Sequence, residues 1–301
     1  MAGKIEITTR MGCRINCRFC PQKLALSRYY QDDPKRETVM SFEDFKAYLA
    51  KIPKDVDILF SGMCEPWLNE ACTDMVEYAV NDGRNVDLYT TLVGMHMADY
   101  ERVRKLKIHI FVLHVADRDG NAVIPVTDEY LEVLDAVAEG HKSGELPITT
   151  VSVHGPFHPK IEKIMEKIKD VPVLTEIYDR AGNLKDEEGV TISVEKDKTG
   201  PLVCAKCHGD KLDDNYLLPD GSVNVCPMDW GLECILGNLK TDSYEEIQEC
   251  RQKQEFRRKM GTKNEPVLCR RCHESQSRSA YRFAQLKQSI RKAARKLLKR
   301  K

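Results

Sequence analysis

The chain has 301 residues, 42% of them hydrophobic and 31% charged, which allows a sizeable core and excludes a disordered or fibrous protein. No stretch approaches the roughly 18 to 20 apolar residues of a membrane span, and the first residues carry no apolar signal core, so a cytoplasmic protein is expected. The formal net charge of zero conceals an asymmetry: residues 278–301 hold ten of the 47 Lys and Arg and no acid, leaving 37 bases against 47 acids elsewhere.

KIEITTR, at 4–10, alternates as a strand does and runs into the loop MGCRINCRFCPQ. Ser41 caps a helix over 41–52. VDILFSG, ending at Gly62, reads as a buried strand, and ACTDMVEYAVNDG as a helix stopped by Gly83. NVDLYTTLVG (85–94) is a strand, MADYERVRKLK (97–107) a helix, and IHIFVLHVAD (108–117) a strand. Thr127 caps a helix to Gly144; a strand at 147–155, a helix at 158–170 and a strand at 172–179 follow. Strands alternating with helix-length segments imply right-handed crossovers and a parallel sheet. Six such units are too few for a closed eightfold barrel, so an α/β fold with a partial (β/α)6 barrel is expected. Its chemistry should collect at the carboxyl ends of the strands.

The rhythm stops after RAGN (180–183). Residues 200–273 are Cys-rich, with a hairpin turning at Asp220–Gly221 and helical sequence at 242–259. Three parts are expected: a barrel at 1–192, a small Cys-rich domain at 193–277 and a basic helical tail at 278–301.

Twelve cysteines are many for a chain without an export signal, and in a reducing compartment they point to metal binding. Residues 73–203 contain none, so two separate sites are expected. Cys13, Cys17 and Cys20 form C-x3-C-x2-C. Three thiolates do not close a tetrahedral structural metal site. A [4Fe–4S] cluster held by three leaves one iron open; a zinc site completed by a distant His is the alternative that spacing leaves.

C-x3-C-x2-C after a first strand, with Phe19 before the last Cys, resembles the radical S-adenosylmethionine (SAM) superfamily. SGMCEPWLN (61–69) is similar to that family's glycine-rich stretch ending in Glu-Pro, with Met63 and Cys64 where Gly or Ser is usual. The resemblance implies that Cys13, Cys17 and Cys20 hold a [4Fe–4S] cluster whose open iron chelates SAM. It implies that Ser61, Gly62 and Glu65 meet the SAM amino group, and that Thr90 and Thr91, ending the third strand, line its site. His114 takes the place of a polar ribose contact, or is a core histidine. Arg180 of RAGN meets a carboxylate of SAM or of substrate, or sits in a surface turn. The family's chemistry is reductive cleavage of SAM to a 5′-deoxyadenosyl radical, which abstracts hydrogen from substrate.

Downstream, Cys207, thirteen residues, Gly221, four residues and Cys226 are followed by Cys269 and Cys272. This is similar to the auxiliary-cluster pattern of twitch domains, the truncated relatives of SPASM domains. The resemblance implies one auxiliary [4Fe–4S] cluster on Cys207, Cys226, Cys269 and Cys272, with Cys204 competing with Cys207. A zinc ribbon from 204/207 and 269/272 is the bland alternative. Cys64 and Cys234 are candidate catalytic hydrogen-atom donors.

The tail places Phe283, Leu286, Ile290 and Leu297 on one helical face. Docking on the body is the expected arrangement; an anionic membrane surface or a phosphate-rich partner is the alternative. The absence of other basic patches argues against nucleic acid. The early first strand argues against a peptide-recognition domain before it and for a small-molecule, sugar-like substrate. By analogy with twitch dehydrogenases, the expected reaction is radical oxidation of a carbon bearing a hydroxyl, with electrons supplied by a flavodoxin or ferredoxin. Redox-neutral epimerisation, peptide modification and a non-enzymatic zinc-binding protein are the other readings.

Overall fold

A computed structural model describes residues 3–184 and 190–287. The first half supplies six parallel strands: β1 (Lys4–Ile7), β2 (Asp57–Phe60), β3 (Val86–Thr90), β4 (Ile110–His114), β5 (Thr150–Ser152) and β6 (Val173–Leu174). The intervening helices are α1 (Gln22–Tyr29), α2 (Phe42–Lys51), α3 (Cys72–Asn81), α4 (Met97–Val103), α5 (Asp128–Ser143) and α6 (Glu162–Met165). Both expected caps form: Ser41 accepts from the Asp44 N–H at 3.0 Å and Thr127 from the Tyr130 N–H at 3.2 Å. Ile5 and Ile7 are fully buried in one apolar cluster with Phe45 of α2 and Met75 of α3. Strand alternation turns Lys4 and Glu6 to the inside of the curved sheet, where Lys4 pairs with Asp87 and Glu6 lines a cavity.

The Cys-rich segment does not stand apart from this sheet. It contributes β7 (Leu202–Cys204), β8 (Asp214–Leu217), β9 (Ser222–Asn224), β10 (Ile235–Asn238), α7 (Tyr244–Glu249), α8 (Arg251–Gly261) and β11 (Ser275–Ser277). Strand β8 pairs in parallel with β1, and one open nine-stranded sheet results, in the order β10-β9-β8-β1-β2-β3-β4-β5-β6. The hairpin turns at Gly221, which has φ +88°, and an added Cβ there would lie 2.6 Å from Asn238 Oδ1. Strands β7 and β11 form a separate antiparallel pair.

Four local expectations change. The last barrel strand shrinks to Val173–Leu174, exposed at its edge. The helix at 158–170 is one α turn between two 3-10 turns. The helical sequence at 242–259 breaks at Cys250, whose ψ is 155°. Helix α1, at the end of the cysteine loop, had not been expected. In the tail, residues 278–287 are helical, and Phe283 and Leu286 are each 58% exposed. The described part of the apolar stripe is therefore not docked; Ile290 and Leu297 lie outside the described residues.

Candidate active site and cysteine centre

The carboxyl ends of β1 to β4 surround a cavity of about 300 Å³. Its wall contains Cys13, Cys17, Cys20, Ser61, Gly62, Cys64, Glu65, Thr90, Thr91, His114 and Arg180. Every expected residue of the first site is thus brought to one space.

The cysteine loop is anchored by α1. Gln22 is buried; its Oε1 accepts from the Cys13 N–H at 3.0 Å and its Nε2 donates to Asn16 Oδ1 at 3.0 Å. Asn16 takes φ +52°, which lets the chain turn between Cys13 and Cys17. A hydrogen bond from Cys64 lowers the Cys13 thiol to about 6. Burial, with repulsion from Cys20, pushes Cys17 up to about 12, and burial pushes Cys20 up to about 11. Three crowded thiols that resist ionising together suit a positively charged metal centre, which replaces their protons. The donor set therefore fits an iron–sulfur cluster.

Glu65 follows β2 and is gripped on both oxygens. Its Oε1 accepts from Thr90 Oγ1 at 2.6 Å and the Trp67 N–H at 3.3 Å. Its Oε2 accepts from the Thr91 N–H and Thr91 Oγ1. Burial nevertheless raises it to about 7, as expected of a carboxylate out of water. Gly62 has φ +83°, and a Cβ there would lie 2.3 Å from Thr8 Oγ1, so this loop requires glycine. The departure at Met63 and Cys64 leaves that turn intact: the Met63 N–H donates to Thr8 Oγ1 at 3.3 Å.

His114, at the end of β4, is lowered to about 4 by burial, with His154 and Arg180 adding repulsion. It meets the cavity as a neutral imidazole. Arg180, Ala181 and Gly182 take consecutive left-handed φ values of +51°, +58° and +80°. Asn183 ties this turn down, donating to the Arg180 carbonyl at 2.7 Å and the Met228 carbonyl at 2.9 Å. The turn places Arg180 in the cavity wall.

Cys234 does not join this site. Its sulfur lies 4.0 Å from the Gln252 carbonyl and does not line the cavity, because the hairpin directs it towards α8. Sequence reasoning missed Glu6, Tyr89, Lys206, Tyr216, Met228 and Trp230, which complete the wall. The alternation of β1 marks Glu6 as inward and Tyr89 is carried by β3; the others depend on β8 pairing with β1.

The second cysteine set gathers five thiols. Cys207 shares hydrogen bonds with Cys204 and Cys226, which raise its pKa and lower that of Cys204. Cys269 and Cys272 interact electrostatically with Cys204 and Cys226. Burial raises Cys269 and pushes Cys272 up to about 12. Ser275 fastens the turn carrying the last pair by donating to the Cys269 and Cys272 carbonyls. Lys198 Nζ adds a bond to the Cys272 carbonyl at 2.6 Å. Among the described residues no three His, Cys, Asp or Glu side chains close to the tight shell of a single ion. The crowded thiol set suits a multi-iron cluster for the same reason as the first.

Residues 207–273 match the SPASM model, described as an iron-sulfur cluster-binding domain. No curated protein sequence matches the chain. Among solved structures, BtrN in complex with AdoMet and 2-DOIA aligns with a TM-score of 0.53 and 16% identity over 87% of each chain. BtrN in an open conformation aligns with a TM-score of 0.52 and 13% identity over 93% of this chain and 97% of BtrN. SuiB of Streptococcus suis, bound to the precursor peptide SuiA, aligns with a TM-score of 0.52 and 14% identity over 83% of this chain and 65% of SuiB. The chain shares the fold of these solved structures, and residues 207–273 carry the match to the iron-sulfur cluster-binding domain. Among the described residues no helix is long and apolar enough to cross a membrane.

Proposed function

We propose that the chain is a radical SAM enzyme that oxidises a small hydroxylated molecule, with a second iron–sulfur cluster as electron acceptor. Cys13, Cys17 and Cys20 hold the first cluster; Glu65, fixed by Thr90 and Thr91, receives the SAM ammonium group. Bound there, cluster and SAM supply a 5′-deoxyadenosyl radical. His114 remains a neutral hydrogen-bonding group, and Arg180 offers a planar fork to a carboxylate. Cys207, Cys226, Cys269 and Cys272 hold the second cluster. Reducing equivalents come from a flavodoxin- or ferredoxin-like protein.

One observation carries the oxidative reading. The cavity has Cys13, Cys17 and Cys20 on one side, and on another Lys206, Pro227 and Met228, which adjoin Cys207 and Cys226 in the chain. A molecule held there lies against the first cysteine set and against chain neighbours of the second, which supports electron transfer between them. BtrN, whose structure contains AdoMet and 2-DOIA, supports a small-molecule substrate. Cys64 in the cavity wall favours one second reading, redox-neutral epimerisation with Cys64 as hydrogen-atom donor.

The test is anaerobic reconstitution followed by counting iron and measuring 5′-deoxyadenosine formed under reduction. About eight irons per chain and reductant-dependent 5′-deoxyadenosine are expected. No 5′-deoxyadenosine would refute SAM cleavage. Cells making active or Cys17→Ala protein then reveal the substrate as a metabolite that differs between them. A peptide product there would replace the small-molecule assignment.

A further inference from the structure

Each cysteine set has one cation of its own in the cavity wall. Arg180 interacts electrostatically with Cys20 of the first set. Lys206 interacts with Cys207 and Cys226 of the second. Lys206 lies in the four-residue turn CAKC, between Cys204 and Cys207. That turn is closed by paired Cys204–Gly209 backbone bonds of 2.8 Å each and by the Ala205 N–H on the Glu274 carbonyl at 2.8 Å. It sends the Lys206 side chain towards the cavity, where Nζ lies 3.2 Å from Asp214 Oδ2. The side chain is 36% accessible and lines the same cavity as Glu6 and the first cysteine set.

The geometry points to Lys206 as the positioning charge that makes the second cluster an electron acceptor, an inference that rests on the two-cluster reading above. Adding an electron to a thiolate-bound cluster adds negative charge. A cation held by Asp214 and adjoining the ligand Cys207 stabilises that state and raises the reduction potential. Asp214 holds the ammonium in place and offsets part of its charge. Lys206 is closer to the ligands in the chain, being next to Cys207, whereas Asp214 is on β8. In the oxidation, abstraction of a hydrogen atom leaves an unpaired electron on a carbon bearing a hydroxyl. A cluster held by Cys207 and its partners would take that electron, Glu6 in the same wall would take the hydroxyl proton, and the C–O bond would become C=O. The cluster would be the one-electron acceptor, the hydrogen atom having gone to the 5′-deoxyadenosyl radical to give 5′-deoxyadenosine.

The test is a potentiometric titration, monitored by electron paramagnetic resonance, on the full chain with Cys13, Cys17 and Cys20 changed to Ala. Only the second cluster then contributes. Lys206→Gln should lower its midpoint by an amount equivalent to about tenfold in the one-electron equilibrium, about 59 mV. Lys206→Arg should leave it near the parent value. Asp214→Asn should move it upwards, the opposite sense from Lys206→Gln, which a general loosening of the fold does not produce. Iron content should stay at about four per chain throughout. Equal midpoints in the parent and Lys206→Gln, or the same downward shift for both substitutions, would overturn the inference while leaving two clusters in place. A parent that binds no iron overturns the two-cluster reading and this inference with it.

Discussion

Thr91 holds Glu65 twice on one oxygen: its backbone N–H at 2.6 Å and its hydroxyl at 2.7 Å both donate to Oε2. The carboxylate is thereby aimed by the end of β3 although it belongs to the loop after β2. Two strands must be in register before this group points into the cavity.

Burial raises Glu65 to about 7, and this sets the pH dependence of SAM affinity. The charged form is the one that receives an ammonium group. Below about pH 7 the carboxyl is protonated in the free protein and must lose that proton on binding. SAM affinity of the reconstituted protein should weaken by up to tenfold for each pH unit below about 7 and level off above it. Isothermal titration calorimetry at several pH values checks this. Glu65→Gln should bind more weakly and lose the pH dependence. A pH-independent wild-type affinity would show that Glu65 does not receive the ammonium.

Thr91→Ala removes one charge-assisted hydrogen bond and keeps the backbone one. A loss of about 1.5 to 3 kcal/mol in SAM binding is expected. The same titration measures it, with the apparent pKa of binding moving upwards.

Five thiols surround the second centre, and a [4Fe–4S] cluster takes four. Cys207→Ala should reduce the iron content from about eight to about four per chain, and Cys204→Ala should leave it unchanged. Iron and sulfide analysis decides between them. The opposite pattern would assign the ligand to Cys204, whose hydrogen bond with Cys207 leaves either sulfur in reach.

Cys64 lies beside Cys13 and its hydrogen bond lowers the Cys13 thiol. In an oxidase this bond tunes the first cluster, so Cys64→Ala should change the rate and not the product. Product analysis by mass spectrometry, once the substrate is known, provides the check. Loss of an epimerised product with accumulation of a substrate radical would place Cys64 as a hydrogen-atom donor.

Stability depends on a residue far from the cavity. Arg84 is buried and donates to the carbonyls of Leu49 at 2.8 Å, Ile52 at 2.7 Å and Pro53 at 2.7 Å, closing the end of α2. Arg84→Met removes all three bonds, leaving the Leu49 and Pro53 carbonyls only the backbone N–H groups of Ile52 and Val56, and should cost about 2 to 4 kcal/mol. Urea unfolding should show a lower midpoint with an unchanged slope.

The sequence by itself determined the barrel strands, the capped helices α2 and α5, the spacing of Cys13, Cys17 and Cys20, and the Glu65 turn. These are local properties: alternation, a capping side chain, three thiols on one loop, a glycine that must take positive φ. It also marked two cysteine sets through the gap between them. Tertiary structure alone decided that chain neighbours of the second set, Lys206 and Pro227, line the cavity that holds the first, because that depends on β8 pairing with β1 across more than two hundred residues of chain. The same pairing brings in Lys206, Tyr216 and Trp230, and carries Met228 with its carbonyl to Asn183. Cys64 and Cys234 looked equivalent in the sequence, yet only Cys64 faces the cavity. Spacing along a chain fixes which side chains leave one loop together. Which loops then meet is set by strand pairing and by the burial it brings.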